Sequence, residues 1–245
     1  MATRSERQPV SLPRFVREWS VSEHLGAVRA VLIALSAGVA ILFIIGSGEL
    51  YDQLRIPCDG ADCTPLQRPA YPGVSAEFYA RWTVARESVA FIAFCVLAAL
   101  LFWKAPRRPM ALFGAITMVL FGGATISDAM TAVVQSSSLL RYPAMMAELV
   151  GALAIVAFIY LFPDGRFVPQ WTCWLLAPLA VLGVIGYLVP VDHPFSVDGV
   201  GSLLIWVAVL AIGAAMHVVR YRRSPDEIER QQLKWVGLGL ATATA

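Results

Sequence analysis

Ionisable side chains at the ends of long apolar runs are expensive to place beside lipid, and each is a candidate for receiving a ligand or a proton. Five such groups occur here: Arg86, Glu87, Asp128, Arg141 and Glu148. Asp128 follows Met110 by about 27 Å at helical rise, near the far end of an apolar run. Glu148 opens the next run from that same side, Arg86 and Glu87 flank the start of another, and Arg141 falls in the short loop between. Together they can line one outward-facing mouth that takes an external ligand or a proton. The plainer reading is charges at interfacial helix ends, paired with one another or wet, and the sequence favours it.

Cys58 and Cys63 bracket Asp-Gly-Ala-Asp. Two thiols across a short polar turn in an oxidising compartment form a disulfide more readily than a metal pair, although the same spacing in a reducing compartment suggests metal. Cys95 and Cys173, in or beside apolar runs, read as small apolar side chains. His217 sits near a helix C-terminus with no second ligand at metal spacing, and His193 lies in a polar loop with Asp192 and Asp198, where weak metal binding or pH sensing is a minor alternative. The sequence contains no H-E-x-x-H, no G-x-S-x-G and no phosphate loop. Gly237-Leu238-Gly239-Leu240 lacks the strand and polar neighbours of a nucleotide-binding turn and fits a membrane helix better. No catalytic residue and no metal site is assigned.

The elements that position these groups follow from composition. The 245 residues are 58% hydrophobic and 15% charged, with a net charge of +2 and a mean hydropathy of +0.67. Ordinary globular domains are about 25% charged, so the chain reads as an integral membrane protein, and it has no basic excess for nucleic acid. A hydrocarbon core of about 30 Å needs roughly 20 apolar residues in a helix. Six stretches qualify: 27–45, 86–103, 110–127, 144–162, 171–191 and 200–219. They lack the two-residue alternation of barrel strands, and lipid leaves helices as the way to satisfy their backbone amides. The expected fold is therefore an all-α polytopic bundle.

Of the 19 basic residues, only Arg55, Arg68, Arg81, Arg86 and Arg141 fall on the side opposite the N-terminus. The positive-inside bias thus puts the N-terminus in the cytoplasm, with Trp19, Trp103 and Trp171 near the inner interface. Residues 1–26 form a cytoplasmic segment without the apolar core of a cleavable signal. Residues 46–85 form an outer segment, in which 75–86 suits a short interfacial helix. Within 220–234, Ser224-Pro225-Asp226-Glu227 makes a capping box that starts a cytoplasmic connector helix. The apolar run that follows covers only about 16 Å, so a seventh span is expected to begin before Ala245 and to continue beyond it.

Two cytoplasmic segments carry a resemblance. Leu161-Phe162-Pro163-Asp164-Gly165-Arg166-Phe167-Val168-Pro169-Gln170-Trp171, and Tyr221-Arg222-Arg223 with Glu229-Arg230-Gln231-Gln232-Leu233-Lys234-Trp235, resemble the membrane sensor region of bacterial sensor histidine kinases. Met110-Ala111-Leu112, Gly122-Gly123-Ala124-Thr125 and the Cys58 to Cys63 segment also look like that architecture, over roughly residues 30 to 240. The resemblance implies a multi-span sensor of the bacterial plasma membrane that precedes a dimerisation helix with a phosphoacceptor histidine and an ATP-binding domain. Homodimerisation, a response-regulator partner, and ATP with Mg are then expected of that kinase region alone. This chain by itself implies no enzyme and no cofactor, with membrane lipid as its direct partner. Physically, Pro163-Asp164-Gly165 suits a tight hairpin between two spans, and Arg220, Arg222 and Arg223 can meet anionic lipid. A small multi-span transporter or channel is the competing reading, disfavoured by the want of an ionisable residue near the midplane.

Overall fold

A computed structural model describes residues 21–56, 73–105, 108–162, 170–189 and 199–223, with isolated positions at 165, 167, 194, 196 and 231. The described residues are helical, and no strand occurs among them. The order is α1 (Val21–Leu54), α2 (Ala76–Lys104), α3 (Pro109–Leu120), a π-helical turn (Phe121–Thr125), α4 (Asp128–Ser136), α5 (Arg141–Leu161), a 3₁₀ turn (Gln170–Leu175), α6 (Leu176–Leu188) and α7 (Val200–Arg223). Five helices are long and apolar enough to cross a membrane, and a sixth crossing exists if the bent pair α3 to α4 counts as one. The described part of the chain is thus built of helices, several of them long and apolar enough to cross a membrane, which marks it as a membrane protein.

Three features differ from the sequence expectation. Residues 46–54, expected in the outer segment, continue α1. Residues 75–86 are no separate interfacial helix. Ser75 caps α2 with its hydroxyl accepting from the Phe78 amide at 3.2 Å, and Glu77 with Arg81 forms an i,i+4 pair on its first turns. The helix then runs without interruption to Lys104 because nothing in it breaks the ladder. Third, the expected span 110–127 ends close to where it was placed, at Thr125, but the loop expected after it holds a further helix, Asp128–Ser136, inclined at 59° to the first.

The break has a local cause. Gly122 and Gly123 let α2 approach so closely that a Cβ on either would run into the Phe94 or Phe91 ring. Phe91 is in turn stacked against Phe43 of α1 at 4.4 Å between centroids, which locks three helices together. Here the backbone widens to a π turn, ending with the Ile126 amide donating to the Phe121 carbonyl at 3.2 Å. Ser127 is extended (φ −102°, ψ 121°), and α4 starts afresh. Gly46 of α1 then sits directly on the Ala129 carbonyl and the Val133 side chain. Small residues at such crossings let helix backbones approach within lipid, where hydrophobicity gives no driving force between helices.

The core follows the same division. One cluster joins α1, α2, α3 and α4 around Phe43, Leu50, Phe91 and Leu120; a second fills the join of α4 and α5 around Met130 and Val133. A separate third cluster, with Val156, Tyr160, Leu179 and Val209, holds α6 and α7 onto α5.

Candidate functional site

The site is built on the break. Helix α4 opens with amide groups that have no partner in their own helix. Ser127 supplies the local cap, its hydroxyl oxygen accepting from the Ala129 amide at 3.2 Å. A second cap comes from α2. The Glu87 carboxylate accepts from the Ser127 hydroxyl at 3.0 Å, from the Asp128 amide at 3.2 Å and from the Ala129 amide at 3.3 Å. An acidic group at a helix N-terminus meets the positive end of the helix dipole, a contact worth about 0.3 to 1 kcal/mol when exposed and up to about 2 kcal/mol when partly buried.

Glu87 is itself 9% exposed, whereas the groups around it open toward solvent. The Arg86 guanidinium lies 3.9 Å from the Glu87 carboxylate and 4.0 Å from the Asp128 carboxylate, with the side chains of Arg86 and Asp128 half or more exposed. At such length and exposure these ion pairs contribute about 0 to 1 kcal/mol each. The hydrogen bonds to Glu87 are therefore what hold the joint, and the Arg86 to Asp128 pair covers it. At helical rise Glu87 lies about 25 Å along α2 from Lys104, close to the end of the apolar stretch that the positive-inside reading places outside.

Three of the five charged groups singled out from the sequence, Arg86, Glu87 and Asp128, thus meet at one point. Glu148 joins through its main chain, since its carbonyl accepts from the Thr125 hydroxyl at 3.3 Å across the π turn. Arg141 opens α5 as an exposed residue. Arg86 and Asp128 are half or more exposed and lie beside each other, whereas Glu87 is buried and bonded to a second helix; Asp128 opens α4, but Arg86 and Glu87 lie inside α2 and not at its end. Ser127 was missed. The signal for it was present: Ser127-Asp128 before an apolar segment is a helix-start pattern, standing at the end of the expected span 110–127 where a loop was expected to begin.

Other expected sites divide between described and undescribed residues. Cys58 and Cys63 lie outside the described residues, as do His193, the Ser224 to Glu227 capping box, and Pro163, Asp164, Arg166, Arg230, Gln232, Lys234 and Trp235. Gly165 has φ +74° and its amide donates to the Leu161 carbonyl at 2.8 Å, the left-handed turn expected of the hairpin after α5. Trp171 is half exposed in the 3₁₀ turn, and Gln231 is an exposed helical residue. Cys95 and Cys173 are free thiols. His217 is buried in α7, as a structural histidine is. Among the described residues no group of three His, Cys, Asp or Glu side chains gathers as a metal site does.

Chemically, this arrangement can gain or lose a proton at one enclosed carboxylate and tie that event to the seating of a helix. Comparison with protein-family models, with curated proteins and with solved structures found no match to this chain.

Proposed function

We propose that the chain is the signal-receiving membrane module of a two-component sensor histidine kinase in a bacterial plasma membrane. In this reading a stimulus at the outer side or within the bilayer biases two packings of the bundle. The segment that follows α7 carries the shift to a kinase region of the full-length protein, which supplies ATP and Mg binding, dimerisation and the response-regulator partner. The observation that carries the reading is the broken third span. Helix α4 is a separate body joined to α3 by the extended Ser127 and capped by a side chain from α2, so its seating can differ between two packings while α3 stays clamped by Phe91 and Phe94. The left-handed Gly165 lies in the 161–171 segment, one of the two that carry the resemblance.

A transporter is the second reading, and one observation favours it. Half-helices whose N-termini point at an anionic group of the substrate are the usual construction of sites in secondary transporters, and the N-terminus of α4 has that form with the Glu87 carboxylate in the anion's place. Two measurements separate the readings. The coding sequence past Ala245 is read and the natural gene product, in lipid vesicles, is assayed for autophosphorylation and for proton-coupled flux. The sensor reading expects a histidine-bearing helix and an ATP-binding domain, stimulus-dependent phosphorylation, and no flux. A stop codon within one more span, with a flux abolished by Asp128→Asn, establishes transport instead.

A further inference from the structure

We propose that Glu87 is a proton-operated latch: as a carboxylate it ties α4 to α2, and on protonation it releases the N-terminus of α4. The inference rests on the broken span being a movable part, as the sensor reading has it, and on nothing about a kinase.

The geometry makes the joint sensitive to one proton. Both carboxylate oxygens are committed, Oε2 to the Ser127 hydroxyl and the Ala129 amide, Oε1 to the Asp128 amide with Arg86 beyond it. All three partners donate. A proton on Oε1 faces the Asp128 amide, which cannot accept it; a proton on Oε2 can be accepted by the Ser127 hydroxyl once that group turns, but it faces the Ala129 amide as well. Either proton removes the negative charge from the dipole end of α4 in the same step. No second carboxylate replaces it, because the Asp128 side chain points to Arg86. Helix α4 itself survives release, since Ser127 still caps Ala129. What is lost is its attachment to α2.

The surroundings supply a route and a restoring force. Asp128 and Arg86 are exposed and adjoin the enclosed carboxylate, giving protons a polar path from the solvent. Charged groups on the packed elements are Glu23, Arg29, Glu49 and Asp52 of α1, with Arg55 just past its end pairing with Asp52 at 3.1 Å; Asp128 of α4; and Arg141 and Glu148 of α5. Arg86 and Asp128 are the charged groups that adjoin Glu87 in the joint. Against release stands the burial of Ala129, Met130, Ala132 and Val133, each without solvent exposure, and the seat of Ala129 on Gly46. The latch therefore adjusts a packed helix and does not eject it.

The test places the whole chain in lipid nanodiscs and follows two signals from mildly alkaline to mildly acidic buffer. Deuterium exchange of residues 129–136, expressed as protection factors so that intrinsic pH dependence cancels, reads the seating of α4. Infrared absorption of a protonated carboxylic acid reads the latch. In the wild type, protection falls by roughly tenfold in acid, the size expected of one charge-assisted helix cap, while the acid band rises over the same range. Glu87→Gln removes the band and gives low, pH-independent protection throughout. Asp128→Asn keeps both the band and the transition, with the midpoint displaced because a neighbouring charge is gone, which identifies the titrating group, and it serves equally if Glu87→Gln does not fold. Constant protection in the wild type, a transition surviving in Glu87→Gln, or its loss in Asp128→Asn would each overturn the proposal. Neither signal depends on phosphorylation or flux, so a failed kinase reading leaves the outcome unaffected.

Discussion

Helices α4 and α6 lie in the same bundle and are buried in inverse order to their polarity. The sequence of α6, LAPLAVLGVIGYL, is almost wholly aliphatic, yet only Leu179 and Gly186 are buried. In α4, DAMTAVVQS carries an acid, an amide and two hydroxyls, yet Ala129, Met130, Ala132 and Val133 are sealed from solvent. In water that order would be reversed. Lipid is as apolar as a protein core, so an aliphatic helix gains little by turning inward, while a helix start with open amides must be enclosed by protein that can bond them. The same contrast extends to the regions around them. The half made by α1 to α5 is joined by close backbone crossings and a bonded carboxylate; α6 and α7 rest on α5 through one aliphatic and aromatic seam.

The comparison is broken most directly at Gly46. Any side chain there meets the Ala129 carbonyl, and backbone cannot give way as a side chain can. Gly46→Leu should therefore destabilise by about 3 kcal/mol or more, at the upper end for overpacking, in reversible unfolding from mixed detergent micelles. Met130→Ala comes next. It opens a fully enclosed space and should lose about 2 kcal/mol or more, whereas Leu203→Ala on α7, 61% exposed, should lose nearly nothing in the same assay. Equal losses for those two variants would mean that the two regions do not differ in packing.

Smaller effects sharpen the contrast on the α6 and α7 side. The Tyr160 hydroxyl donates to the Val209 carbonyl at 2.9 Å, the polar tie between α5 and α7. Removing it in Tyr160→Phe should lose about 0.6 kcal/mol, the usual worth of such a bond between membrane helices, and a loss several times larger would show the seam to be tighter than its packing implies. Gly183→Ala should be nearly silent, below about 0.5 kcal/mol, because its new methyl group meets only the flexible end of Leu149. Thermal unfolding monitored by tryptophan emission resolves both.

Composition and the spacing of apolar runs were sufficient for the class of fold, because a run of about 20 apolar residues has one low-energy state in lipid, and that state depends on the run alone. Helix limits near Lys104, Leu161 and Val200 were legible for the same reason. Arg86, Glu87 and Asp128 were legible as a group, since each marks where an apolar run stops, although α2 itself extends past Arg86 to Ala76. The end of the third span at Ser127 was legible, but helix α4 beyond it was not. Residues 128–143 read as a short outer loop, and what encloses α4 there is the Glu87 cap and the seat of Ala129 on Gly46, contacts between helices that no local pattern encodes. Nor could the sequence separate Glu87 from its neighbour Arg86: adjacent residues on a helix point about 100° apart, and only the packing of α4 decided which of the two was enclosed. The sequence by itself thus determined that the chain folds as membrane helices and where most of them end, through one-dimensional transfer of side chains to lipid. Which carboxylate became the cap of a broken helix was decided by tertiary structure, because capping joins residues forty positions apart.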